Sequence, residues 1–247
     1  MHIINVVNCL LDRWFFVVYY VVLVGLFLHL LGNIIIGRIG ERYIMGRHKR
    51  VTKEEYIPPP ARTMHWMHLV SIIGLILTGF LIRYKVLQSY LWLWKSIHYG
   101  LAAAILANLV ARFIYAFAGE TKTYRDFAFG KQDILTTPAV IRYYLFLQDD
   151  HPQVGKFASL QKLTYNMFWI ILILQGVTGV AILLPDILLG WIDLTLFDGV
   201  LLMHIIHVAI MWIFIITTTI HAYMALTEGY PLIKLMLFNI EPETGKE

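Results

Sequence analysis

Leu201-Leu-Met-His204-Ile-Ile-His207-Val-Ala-Ile-Met-Trp-Ile-Phe-Ile-Ile-Thr-Thr-Thr-Ile-His221-Ala-Tyr-Met-Ala-Leu226 is an apolar run long enough to cross a bilayer, broken only by threonines and three histidines. His207 and His221 are 14 residues apart. That is about 3.9 helical turns, so they share a helix face and stand roughly 21 Å apart along the axis. One imidazole near each side of the membrane is the layout of a single helix giving one axial ligand to each of two stacked hemes. Partners for both rings must come from elsewhere in the chain.

With 247 residues, 59% of them hydrophobic, and a mean hydropathy of +0.67, the chain is an integral helical membrane protein. The single cysteine, Cys9, excludes an intrachain disulfide and any metal site built on several thiolates. Metal chemistry must then rest on histidine. The net charge of +4 comes from basic residues beside apolar runs, which points to the bilayer and not to nucleic acid.

Five spans are expected, at about 14–36, 64–82, 96–117, 164–184 and 201–226. The first is read as a retained helix because Met1 to Arg13 lacks the basic start of a signal peptide, and its His29 as a polar residue facing neighbouring helices. Gly37 to Arg62 is a basic linker in which Pro58-Pro59-Pro60 bars helix continuation. Glu120 to Leu163 is a polar connection with an amphipathic piece, Val140 to Leu147, expected in the membrane interface. Pro185 ends the fourth span, and the fifth runs into a short polar tail. All Asp and Glu are expected in loops and tails.

With the amino terminus outside, sixteen of the twenty Lys and Arg residues fall on the inner side and only Arg13, Arg83, Lys85 and Lys95 outside. This asymmetry orients the chain, amino terminus out and carboxyl terminus in. Depths then follow. His65, at the entrance of span two, matches His221 on the inner side; His98, at the entrance of span three, matches His207 on the outer side. His204 is 17 residues from His221 and so turned about 100° from it, which favours His207 as the outer ligand. Geometry alone does not choose between His65 and His68. Two bis-histidine heme sites result, and low-spin hemes of this kind would carry electrons across the insulating bilayer. Gly74, Thr78-Gly79, Gly100 and Thr178-Gly179 would let helix backbones approach a flat macrocycle. Arg62, Arg83, Lys85 and Arg112, at span ends, are candidates for heme propionate contacts, as is His204; snorkelling anchors are the plainer role for the arginines and lysine. A heme-free proton or metal transporter lined by the same histidines is the alternative from another class.

Taken together, Arg62-Thr-Met-His65-Trp66, Leu77-Thr-Gly79, Ile97-His98, Arg112-Phe-Ile-Tyr-Ala-Phe-Ala-Gly119, Ile141-Arg-Tyr-Tyr-Leu-Phe-Leu147, His204-Ile-Ile-His207 and His221-Ala-Tyr-Met-Ala-Leu226 resemble the di-heme cytochrome b subunits of membrane-bound nickel–iron hydrogenases. The related formate dehydrogenase gamma subunits share the helix with two histidines 14 apart, and Gly155-Lys156 and Gln161-Lys162. The resemblance implies an all-α integral membrane protein, a four-helix heme-binding bundle over residues 63–247. Residues 1–62 form an additional amino-terminal transmembrane helix and linker. It favours His65 over His68, and implies two heme b groups on His65/His221 and His98/His207. It also implies an iron–sulfur subunit and a large catalytic subunit on the outer face, and a quinone, menaquinone or ubiquinone, reduced near the inner face of a prokaryotic cytoplasmic membrane. The donor enzyme could equally be a formate dehydrogenase or a sulfur-compound reductase. His68, Lys156 and Gln161 are then candidates for the quinone vicinity, with Glu228 nearby. Ala158 follows Gly155-Lys156-Phe157 where formate dehydrogenase gamma subunits carry the Asn associated with quinone.

Overall fold

The computed structural model describes residues 2–40, 57–120, 122–149, 152, 157–188, 199–228 and 230–238. Among the described residues eight α-helices follow one another: α1 (His2–Ile35), α2 (Pro59–Arg83), α3 (Leu91–Ala118), α4 (Lys131–Tyr144), α5 (Ser159–Leu183), α6 (Pro185–Leu188), α7 (Gly199–Thr227) and α8 (Tyr230–Phe238). Five of these segments are long and apolar enough to cross a membrane: Cys9–Ile35, Pro59–Arg83, Gln88–Ala118, Ser159–Leu183 and Gly199–Thr227. The chain is an all-helical, multi-pass membrane protein.

The proline run does more than bar helix continuation: it starts α2. Pro59 and Pro60 fill the first turn, where a missing N–H costs no hydrogen bond and the fixed φ already suits a helix. Residues 59–62 therefore belong to α2, and residues 41–56 of the basic linker lie outside the described residues. Two further corrections concern the polar connections. Helix α4 begins at Lys131, because Asp133 folds back to accept from the Gly130 N–H at 2.8 Å, and it ends at Tyr144, where Phe146 turns the chain with a φ of 61°. The expected piece 140–147 is thus the end of a longer helix and a turn. The tail after span five carries α8, whose Leu235 is fully buried.

Helices α2 and α3 pack as an antiparallel pair, α5 packs on α7, and α1 lies against α7. In lipid there is no water to drive helices together, so close backbone approach and interhelical hydrogen bonds matter most. Gly74 provides such an approach, since a Cβ there would fall 2.6 Å from a Leu101 methyl. The core joins Ile105 and Leu109 of α3, Ile171 and Leu172 of α5, and Ile210 and Phe214 of α7. On α7 these residues lie between His207 and His221, so the packed centre of the bundle separates the two histidine levels.

Asp12 contradicts the expectation that acids stay out of the spans. It lies in α1, buried, with Arg83 Nε and Nη2 each 2.9 Å from Oδ2, Tyr84 Oη donating to the same oxygen at 3.1 Å and Trp212 Nε1 donating to Oδ1 at 3.1 Å. A charge this deep is tolerated because it is paired and hydrogen-bonded on both oxygens. It fastens α1 to α2 and α7.

Candidate functional site

Four of the histidines meet in two pairs. The rings of His65 (α2) and His221 (α7) have centroids 6.4 Å apart at 61°. Those of His98 (α3) and His207 (α7) are 6.5 Å apart at 64°. Helix α7 runs unbroken through both levels, so the pairs are separated by the roughly 21 Å that 14 residues of helix span.

The donor set and spacing fit a heme iron. Two imidazole nitrogens each about 2 Å from one metal ion, on rings of about 1.1 Å radius, place the ring centroids roughly 6.2 Å apart. Among the described residues no three His, Cys, Asp or Glu side chains gather as a bare metal ion requires. Two imidazoles suffice only where a macrocycle brings the other donors.

At the His98/His207 level the threonines fix the rings. Thr78 Oγ1 donates to the Gly74 carbonyl at 2.7 Å and stands 2.8 Å from His98 Nδ1. Thr178 Oγ1 donates to the Leu174 carbonyl at 3.0 Å and stands 3.0 Å from His207 Nδ1. With each hydroxyl hydrogen committed to a carbonyl, the oxygen accepts from Nδ1–H and the lone pair is left on Nε2, the nitrogen that must face a metal. Gln175 Nε2 contacts His207 Nε2 at 3.1 Å, so its amide must vacate that lone pair before the ring can ligate. The glycine after each threonine leaves room for the ring: a Cβ on Gly79 would lie 3.7 Å from His98 Cε1, and one on Gly179 3.2 Å from His207 Cε1. The repeated Thr-Gly was visible in the sequence. Its orienting role was not.

The His65/His221 level is aromatic. Trp66 stands edge-on to His65 at 5.6 Å, and Tyr165 and Phe168 flank His221 at 6.1 and 5.9 Å. Arg112 lies close enough for its charge to bear on His65 and His68. Its Nη1 is buried with no hydrogen-bond partner among the described residues, which suits an anionic group such as a propionate.

The remaining candidates are placed elsewhere. Arg62 is buried, with Nη1 donating to the Leu235 carbonyl at 3.1 Å; together with Trp66 Nε1, which donates to the Met236 carbonyl at 3.0 Å, it ties α8 to α2. Arg83 is on Asp12, and Lys85 is exposed. His68 Nδ1 sits 2.9 Å from the Met64 carbonyl and 2.7 Å from Asn108 Nδ2; Asn108 is a buried interhelical polar residue that sequence reading missed. His204 is exposed, with Nδ1 at 2.9 Å from its own helix's Val200 carbonyl. Gln161 Oε1 accepts from the Ala158 N–H at 3.0 Å and caps α5. Lys156 lies outside the described residues. His29 faces neighbouring helices, as its sequence position suggested, with Nδ1 at 2.6 Å from Tyr223 Oη. Beside the start of α5, Lys162 Nζ pairs with Asp133 Oδ1 at 3.0 Å. The Gly130 N–H first, and then Lys162, hold the Asp133 carboxyl below its usual range.

The family model described as prokaryotic cytochrome b561 matches residues 56–239. Helix α1 lies outside the matched segment. No curated protein matches the chain.

Proposed function

Because the chain belongs to the prokaryotic cytochrome b561 family, and is therefore a membrane heme-b electron-transfer protein, we propose that it holds two hemes and links an enzyme on one face of the membrane to the quinone pool. The single observation that carries this reading is the meeting of two histidine pairs at two levels of one helix, each at the centroid spacing of a bis-imidazole metal site. His98 and His207 form the outer site and His65 and His221 the inner one, with the amino terminus outside and the bundle in the cytoplasmic membrane of a prokaryote. Each bound heme supplies a one-electron couple whose two imidazole ligands change little between oxidation states.

The chain's own residues do the rest. Thr78 and Thr178 hold the outer rings in the tautomer that presents Nε2, and Arg112 offers a free N–H to an inner propionate. The electron donor is an iron–sulfur subunit with a catalytic subunit on the outer face, hydrogenase-like by family, with a formate dehydrogenase or sulfur-compound reductase as the alternative. Residues 63–247 carry the redox function, and residues 1–62 are an addition to it. A heme-free ion path gains no support: within the described spans the acid is Asp12, and Arg83 neutralises it.

Heme extraction and a reduced-minus-oxidised spectrum of the full chain, expressed with ample heme, test the reading. The expected result is a b-type alpha band and two extractable protohemes per chain. A heme-replete preparation without that band would refute it. Metal analysis of the co-purified complex, nickel against molybdenum or tungsten, decides the partner.

A further inference from the structure

Helix α4 carries apolar side chains on two sides. Val140 and Tyr143 are buried against the bundle. At about 100° per residue, Ile134, Leu135, Pro138, Ile141 and the C-cap Leu145 fall within a second arc roughly 120° wide, which begins about 100° round the helix from Val140. All five are exposed, Ile134 by 62% and Leu135 by 77%. A continuous apolar face of this kind marks a surface that water does not cover.

The contacts of the buried side fix the level at which α4 lies. Lys162, in the first turn of α5, pairs with Asp133 at 3.0 Å, and Tyr143 Oη donates at 3.3 Å to Glu228 Oε2, one residue past the end of α7. Both α5 and α7 are apolar spans. Helix α4 is thereby held where two spans leave the apolar layer, at the depth of the lipid headgroups. A helix there lies in the plane of the interface with its apolar face on the acyl chains.

Charge selects the headgroup. Lys131 opens α4 and Arg142 stands in its last turn; both are exposed, and both fall in the same arc as the exposed apolar residues. From there their stems can lie over acyl chains while the charged ends reach outward to phosphate. The acid of α4, Asp133, is on the opposite, buried side and is held by Lys162, so the exposed side presents positive charge alone.

We infer that α4 is a docking surface for anionic phospholipid, with Ile134, Leu135, Pro138, Ile141 and Leu145 on the acyl chains and Lys131 and Arg142 on the headgroup phosphates.

The test uses the full chain with Cys9→Ser and a bimane label on Ile141→Cys, in vesicles of phosphatidylcholine and phosphatidylglycerol in equal amounts, one or the other lipid being brominated high on its acyl chains. Both brominated lipids should quench the label, phosphatidylglycerol the more strongly. A label on Gln132→Cys, outside the apolar arc, should be quenched little. Lys131→Gln and Arg142→Gln should each lower the preference for phosphatidylglycerol about fivefold, the effect of one basic residue at an anionic surface, and Arg142→Lys should keep it. Equal quenching by the two lipids in the otherwise wild-type chain, or a preference unchanged when both basic residues are replaced, would overturn the anionic site. Quenching at Ile141→Cys no stronger than at Gln132→Cys would overturn contact with the bilayer. So would oxidative cross-linking of Ile141→Cys between copies, which would make this face a contact between two chains.

Discussion

At one level of α7 His98 and His207 each direct Nδ1 at a threonine hydroxyl, at 2.8 and 3.0 Å, and a glycine faces each ring. At the other level, that of His65 and His221, the neighbours are aromatic. Trp66, Tyr165 and Phe168 pack around the rings, with Arg112 nearby. The difference bears on redox balance. A hydrogen bond from Nδ1 makes the imidazole a stronger electron donor and favours the oxidised metal, whereas a nearby cation favours the reduced one. On the two-heme proposal, hydrogen bonds at one level and a guanidinium at the other would tilt the pair the same way, giving the His65/His221 site the higher potential.

The largest expected effect removes one side of this comparison. His207→Ala should abolish the outer heme and His221→Ala the inner one, halving extractable heme in each case. If His204→Ala abolishes the outer heme and His207→Ala does not, the outer pair is wrongly assigned. Arg112→Gln should lower only the inner potential, by about a tenfold change in equilibrium constant or ~59 mV for a one-electron couple, read by potentiometric titration. Thr178→Val should raise only the outer potential, by about 30 mV. The smallest effect concerns the Lys162–Asp133 pair beside the start of α5. Asp133→Asn should lower thermal stability slightly at neutral pH with both hemes retained. Because the folded state holds the Asp133 carboxyl below its usual range, its contribution is present above the ordinary carboxylate pKa of about 4 and is lost as pH falls through the lowered value. A melting series from pH 7 to pH 3 should show wild type and variant converging at the acid end.

Much of the fold was legible in sequence because lipid imposes a simple rule: every backbone group must bond within its own segment, so long apolar runs are helices. The histidine pairs were legible for a related reason. Helix rise and the alternation of span direction place His65 level with His221 and His98 level with His207 without tertiary information. What was missed depends on contacts between distant residues. Arg62 meets the Leu235 carbonyl 173 positions away, on a helix too short to announce itself by hydropathy. Asp12 is acceptable inside α1 only because Arg83, Tyr84 and Trp212 converge on it, and no local pattern reports that convergence. Thr78 and Thr178 read as small packing residues until their hydroxyls are seen beside the rings.

The two-site assignment is tested most directly by redox titration of the purified full chain with heme quantified against protein. Two heme b per chain, titrating as two separate one-electron waves with Thr178→Val moving only the lower wave and Arg112→Gln only the upper, is the predicted result. One heme per chain, or a single wave that both substitutions move together, would contradict it.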